Sequence, residues 1–144
     1  MTTRTARTAW DGGLEDGGGQ VELTSSGVGT FEVSWPKRAT DDADGTTSPE
    51  ELLAAAHASC LAMQLSHVAA EAGGAPETLE VTAEVGFGPD PAGGFAVTGV
   101  TLRVRGEVPG LDHAGFAAAA EKAKATCPIS KALAAPVTLE VLSD

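Results

Sequence analysis

Hydrophobic and polar positions sort this chain into two kinds of segment. Residues 4–10 (RTARTAW), 20–26 (QVELTSS) and 30–35 (TFEVSW) predict three short strands, the third with two-residue alternation. The loop DGGLEDGGG separates the first two, and the three together predict an antiparallel meander. After Trp35 the stretch PKRATDDADGTT is polar and turn-rich and predicts a loop. Further on, Leu79, Val81, Ala83 and Val85 alternate with polar partners in TLEVTAEVGF. FGPDPAGG follows as a hairpin loop, and residues 95–108 return as a long strand with Val100, Leu102 and Val104 on one face. PVTLEVL, residues 136–142, predicts a closing strand.

The helical segments are marked by their ends. Ser48 is a candidate N-cap, Pro49 takes the first helical position, and Glu51 completes a capping box. This helix is predicted to reach about Gly73, where a glycine pair supplies a left-handed cap. Its body, AAAHASCLAMQLSHVAA (54–70), is small or apolar on almost every side. A second helix is predicted from Asp112 through DHAGFAAAAEKAKAT, interrupted at Pro128, with a short helix restarting through Leu133. The order is α+β with a largely antiparallel sheet. No repeat or linker divides the 144 residues, so residues 1–144 read as one domain. A long helix that is apolar all round needs more cover than six strands and one further helix supply. That deficit predicts an obligate homodimer.

Charge narrows the partners. Nine Lys and Arg against 20 Asp and Glu leave a net charge of −11, a surface that repels phosphate backbones and anionic lipids. Nucleic acid and membrane are therefore not expected partners. MTTRTARTAW has no apolar run, so no signal peptide is expected. Leu52 to Ala72 is interrupted by His57, Gln64, Ser66, His67 and Glu71 and reads as a core helix, not a membrane span. The expected compartment is cytoplasmic.

Two cysteines, Cys60 and Cys127, lack the CxxC or HxxxH company of a metal site, and no metal is expected. They are either two small core residues or a redox couple. Cys127 directly precedes Pro128, where a helix start and the nearby Lys122, Lys124 and Lys131 favour a thiolate. Cys60 sits mid-helix in apolar company, which disfavours its thiolate unless a cation approaches. On these residues alone Cys127 ranks as the more acidic thiol. Candidate cations are Lys37, Arg38, Arg4 and Arg7, with Arg103 and Arg105 predicted to face solvent. His57 shares the helix face of Cys60 and either activates the thiol or is a buried ring bonded to a backbone carbonyl. Glu50 lies in the first helical turn, where a carboxylate is favoured whatever its function.

TSPEELLAAAHASCLAMQLS and the later KAKATCPISKAL, with AWDG near the N-terminus, resemble the OsmC/Ohr family of thiol-dependent organic peroxide reductases. The resemblance covers nearly the whole chain and favours the OsmC branch. It implies antiparallel sheets wrapped around long central helices in an intertwined α+β homodimer. It matches Cys60 to the peroxidatic cysteine, Cys127 to the resolving cysteine and Glu50 to the catalytic glutamate. The OsmC branch points to Arg38 of SWPKR as the catalytic arginine, the Ohr branch to an arginine nearer the N-terminus. The implied cycle takes Cys60 through a sulfenic acid to a Cys60–Cys127 disulfide, reset by an external dithiol of lipoyl type. It needs no metal, haem or flavin. Leu53, Ala56, His57, Leu61 and Met63 surround Cys60 on the helix and are the candidate substrate-binding residues.

Helix geometry adds a constraint. Ten residues separate Glu50 from Cys60, about 15 Å along a helix axis and roughly 80° around it. One arginine cannot reach both from a single straight helix, so a composite site is expected, with Glu50 and Arg38 supplied by the partner subunit. Two other functions remain open on the residues: a thiol–disulfide oxidoreductase using Cys127, and a carrier of apolar ligands with no chemistry at Cys60.

Overall fold

The computed structural model of the chain describes residues 1–143. The chain divides into two compact units, Met1–Leu52 and the part from Leu53 onward.

In the first unit, β1 (Arg7–Asp11), β2 (Gly18–Glu22) and β3 (Thr30–Val33) form the predicted antiparallel meander. Its register runs from Arg7 opposite Glu22 to Asp11 opposite Gly18, and from Gly19 opposite Val33 to Glu22 opposite Thr30. The β1–β2 turn depends on glycine, because a Cβ at Gly17 would collide with the carbonyl oxygens of Gly13 and Asp11. Beyond β3 the chain departs from the predicted loop. Trp35–Arg38 forms a short helix, α1, whose start is capped by Ser34, with Oγ accepting from the Lys37 N–H at 3.3 Å. Pro36 falls in the first turn, where its missing N–H leaves nothing unsatisfied. Four residues are too few to display helical periodicity, so only the Ser-x-Pro spacing carried the signal.

The long helix α2 spans Pro49–Glu71. The Ser48 half of the capping box forms, with the Glu51 N–H donating to Ser48 Oγ at 3.1 Å, while the Glu51 carboxylate accepts from the Thr47 hydroxyl in place of the Ser48 N–H. At the far end Gly73 adopts φ 95°, a left-handed backbone that glycine enters without steric cost. The N–H groups of Gly73 and Gly74 then close on the carbonyls of Ala70 and Ala69 at 3.1 and 2.9 Å.

In the second unit β4 (Thr78–Pro89) and β5 (Phe95–Glu107) form a long antiparallel hairpin, and β6 (Val137–Val141) lies on the other side of β5. β6 runs parallel to β5, from Val100 opposite Val137 to Val104 opposite Val141. Among the paired strands of the described residues it is the departure from an antiparallel pattern, beside an isolated parallel bridge between Val33 and Thr47. It is possible because α3 (His113–Thr126) and α4 (Pro128–Ala132) supply the crossover that a parallel pair requires. Asp112 caps α3, its carboxylate accepting from the Gly115 N–H at 2.7 Å.

β5 is therefore the central strand, and Val100, Leu102 and Val104 are almost wholly buried. They share one core cluster with Leu61, Leu65, Val68 and Ala69 of α2 and with Phe116, Ala119, Ala120 and Ala123 of α3. The alanines of α3 are small enough to seat a helix close against this layer. Coverage of α2 is incomplete, however. Ala56, Ser59, Met63, His67 and Ala70 form an exposed stripe along it, with Met63 74% exposed. By length and composition α2 is also apolar enough to cross a membrane, and only 28% of its most apolar window is buried.

Replacing Leu102 by Ala is expected to cost about 2–5 kcal/mol of stability, and Asp112→Ala about 1 kcal/mol. Urea unfolding measures both. A loss at Leu102 no larger than that at Asp112 would contradict the central position of β5.

Candidate active site

The second unit brings the two cysteines together. Cys60 lies half-buried at the middle of α2, and Cys127 is fully buried at the junction of α3 and α4. Both are free thiols, and their sulfurs are 3.2 Å apart. Pro128 sets this placement. It cannot continue the α3 ladder, so the chain turns at Cys127 and restarts as α4. Gln64 of α2 ties the same junction from the side, donating from Nε2 to Thr126 Oγ1 at 2.9 Å.

The two thiols differ in their surroundings. Burial pushes Cys127 up, but the Ser130 amide, the Cys60 side chain, the Ser130 hydroxyl and the Ile129 amide together bring it below its ordinary value. Cys60 moves the other way. Burial raises it, the Ile129 amide offsets part of that, and the neighbouring Cys127 raises it further. Within one chain the surroundings therefore push the two thiols in opposite directions, Cys127 down and Cys60 up. The physical reason is that Cys127 has polar donors from α4, whereas Cys60 has the apolar body of α2 around it.

His57, one turn before Cys60, is fully buried. Its partner is the Ser130 hydroxyl, at 2.7 Å from Nε2, where the sequence predicts either the Cys60 thiol or a backbone carbonyl. Nδ1 is buried without a hydrogen-bond partner among the described residues. Burial lowers the ring's pKa, so the neutral form is favoured. Ser130 was not singled out in the sequence. Its only signal is its position three residues after Cys127 in CPIS.

The first unit assembles a second cluster. Arg38, at the end of α1, grips Glu50, in the first turn of α2, with a planar two-pronged contact. Nε reaches Oε1 at 3.0 Å and Oε2 at 3.1 Å, and Nη2 reaches Oε1 at 2.7 Å. The Glu50 side chain is 9% exposed and that of Arg38 32%. A buried carboxylate needs such a partner, and the guanidinium fork matches it in shape as well as charge. The Trp35 ring lies with its centroid 6.0 Å from the Arg38 guanidinium carbon. Beside this pair a hollow of about 400 Å³ is lined by Trp10, Leu14, Val21, Trp35, Arg38 and Leu52 among others. The two tryptophans make it chiefly apolar, with a single guanidinium at its wall.

The other candidates separate. Lys37 pairs with Asp44 at 3.5 Å, and Arg103 binds Glu84 and Glu140 on the exposed side of the sheet, as expected. Arg105 approaches Glu80 at 3.9 Å, Arg4 bonds the Thr3 carbonyl, and Arg7 is exposed on β1. Of the α2 residues named for substrate, Leu61 is fully buried in the core, Leu53 is half-buried, and Ala56 and Met63 are exposed. No group of three or more His, Cys, Asp or Glu with metal-site geometry occurs among the described residues.

An α+β fold that sets a half-exposed helical thiol against one buried second thiol defines a paired-cysteine protein. The family is shown by comparison: the family model for OsmC-like proteins matches residues 41–142, and the chain belongs to that family. It is 39% identical over 131 residues to the peroxiredoxin OsmC of Escherichia coli K12, covering 91% of this chain and 90% of that one. It is 42% identical over 97 residues to the organic hydroperoxide resistance protein OhrA of Bacillus subtilis 168, covering 66% and 67%. The broader coverage by the former fits the OsmC branch. Among solved structures, an organic hydroperoxide resistance protein from Elizabethkingia anophelis superposes with a TM-score of 0.77 at 32% identity, covering 99% of each chain.

Ultraviolet thiolate absorbance against pH is expected to show two steps belonging to the pair, the lower one largely on Cys127. Cys127→Ser should abolish the lower step, whereas Cys60→Ser should keep a thiol that ionises below the ordinary cysteine range. Loss of the lower step in Cys60→Ser alone would reverse the assignment.

Proposed function

We propose that this protein is a cysteine peroxidase that reduces organic hydroperoxides, and hydrogen peroxide as well, in the cytoplasm. The observation that carries the reading is the 3.2 Å contact between a half-exposed and a buried sulfur. The names of the relatives, a peroxiredoxin and hydroperoxide resistance proteins, support it.

In the cycle, the Cys60 thiolate attacks one oxygen of ROOH. An S–O bond forms, the O–O bond breaks, and RO⁻ leaves and takes a proton to become the alcohol. Cys60 is now a sulfenic acid, two electrons oxidised. The Cys127 thiolate attacks its sulfur, hydroxide leaves as water after protonation, and a disulfide forms. An external dithiol, of lipoyl type, then reduces the disulfide and is itself oxidised. Closing a 3.2 Å contact to a bond of about 2 Å takes an approach of about 1 Å, so little rearrangement is required.

The cycle needs a cation for Cys60, because the surroundings of that thiol in its own chain disfavour the thiolate. The Arg38–Glu50 pair of a second copy supplies it in this reading. Three observations support the composite site. Glu50 and Cys60 share α2 with the ten-residue offset noted above. Arg38 and Glu50 are already joined within one chain and so travel as a unit. The uncovered stripe on α2, including Met63, offers a second copy a surface. The hollow beside Arg38 then receives the alkyl group of the substrate, with Leu53, Ala56, His57, Leu61 and Met63 belonging to the surroundings of Cys60. One domain, residues 1–144, performs the reaction in each subunit.

Protein thiol–disulfide exchange through Cys127 is a second reading, favoured by the lowered pKa of that thiol. Its complete burial argues against it, since a protein disulfide has no route to the sulfur.

Wild type is expected to oxidise dihydrolipoamide only when peroxide is present, and Cys60→Ser to be inactive. Disulfide exchange without peroxide, lost chiefly in Cys127→Ser, would favour the second reading. Unchanged function in Cys60→Ser would favour a non-catalytic carrier. Cumene hydroperoxide should give a higher kcat/KM than hydrogen peroxide, and equal efficiency would count against an alkyl-binding hollow. A fully active monomer in sedimentation and activity assays would overturn the composite site.

A further inference from the structure

His57 and Ser130 are not required by the cycle as written, yet a buried imidazole and a half-buried hydroxyl meet beside the turn that carries its second sulfur. His57 is fully buried on α2, Ser130 stands on α4, and the 2.7 Å contact between Nε2 and Oγ crosses from one element to the other. The hydrogen-bond balance of the imidazole determines which atom carries the proton. If Nδ1 held it, a buried N–H would have no acceptor, because nothing among the described residues bonds Nδ1. Orphaned buried donors are rarer than under-satisfied acceptors, so the proton belongs on Nε2. Nε2–H then donates to Ser130 Oγ, which occupies an oxygen lone pair and leaves the hydroxyl's own proton free to donate elsewhere. Ser130 stands three residues after Cys127, in the first turn of the helix that Cys127 begins, which puts the Cys127 sulfur in the same turn as that free proton.

Access to the disulfide is asymmetric. Cys127 is fully buried, and Cys60 is the half-exposed sulfur. Thiol–disulfide exchange depends both on which sulfur is reached and on which sulfur leaves as the better-stabilised thiolate. Here the two criteria agree.

We propose that Ser130, oriented by His57, stabilises Cys127 as the leaving thiolate when the Cys60–Cys127 disulfide is reduced, so that the reducing dithiol attacks Cys60. This rests on the disulfide of the proposed cycle. One thiolate of the dithiol attacks Cys60 Sγ, forming a mixed disulfide on Cys60 and breaking the bond to Cys127. The departing electron pair stays on Cys127 Sγ, facing the Ser130 hydroxyl. The second thiol of the reductant, deprotonated, then attacks its own mixed-disulfide sulfur. The reductant leaves as a cyclic disulfide, and Cys60 is released as a thiolate. Two electrons pass from the dithiol to the cysteine pair. Ser130 and His57 are positioning residues in this step, His57 acting through Ser130. The titratable groups that face Cys127 are Cys60, in contact with its sulfur, and His57, through Ser130.

The test starts from wild-type protein oxidised with diamide, which makes the disulfide whether or not peroxide does. Brief exposure to a monothiol such as 2-mercaptoethanol, acid quenching and peptide mass mapping locate the mixed disulfide. It is expected on Cys60, and an adduct on Cys127 or an even split would overturn the proposal. Dihydrolipoamide reduction of the same disulfide, followed by stopped flow, should slow about tenfold or more in Ser130→Ala and in His57→Leu, as expected for loss of one hydrogen bond to a charged group. Ser130→Thr and His57→Gln, which keep a hydroxyl and an N–H donor, should recover most of the rate. In a Cys60→Ser background, Ser130→Ala should raise the pH at which Cys127 ionises, a change that loosened packing alone does not produce. Unchanged reduction rates in folded Ser130→Ala would also overturn it. Failure of peroxide to form the disulfide, with diamide-formed disulfide reduced as described, would instead count against the peroxidase cycle alone.

Discussion

A 3.2 Å contact between sulfurs 67 residues apart in the chain is the constraint on which the second unit depends. Holding it requires α2 to present Cys60 at one level and the α3–α4 junction to present Cys127 at the same level. Several unrelated features serve that requirement. Pro128 ends α3 at the right residue, and the alanines of α3 keep that helix close to the core. The parallel placement of β6 beside β5 then anchors the far end of the crossover. Gln64–Thr126 and His57–Ser130 tie α2 to the junction on two sides of the sulfur pair. A rigid core of buried Leu and Val beneath these contacts limits how far either thiol can drift.

The same burial makes the chemistry uneven. An apolar helix is a good place to hold a thiol and a poor place to ionise it, because a thiolate there has lost its water. Cys127 escapes this through the polar atoms of α4, and Cys60 does not. Within the first unit the Arg38–Glu50 pair is closely held, its carboxylate fixing the guanidinium in one plane with Trp35 beside it.

Legibility in the sequence followed segment length and periodicity. The Ser48–Pro49–Glu51 start of α2, the alternation along β4 and β5, and the proline break after Cys127 were all readable, because each depends on neighbours within a turn or a strand. α1 lies in a stretch whose sequence predicts a loop, since four residues show no period. The parallel direction of β6 was not legible, because PVTLEVL has the same alternation whichever way its neighbour runs. Arg38 and Glu50 were named through family resemblance, and their contact spans a turn-rich segment with no periodic signal. Ser130 carries no distinctive signal in the sequence, because a serine three residues after a cysteine is ordinary. Only the arrival of a buried His57 from another element gives it a role.

The sequence by itself determined the element types, the α+β class and the apolar character of α2. All of these arise from local spacing and local charge. Tertiary structure alone decided which thiol meets which, which carboxylate holds Arg38, and which hydroxyl satisfies His57. Those outcomes depend on contacts between residues far apart in the chain, and such contacts leave no period in the sequence that joins them. Cys60 shows the division most plainly: the sequence of α2 made its apolar surroundings legible, and only the fold placed a second sulfur against it.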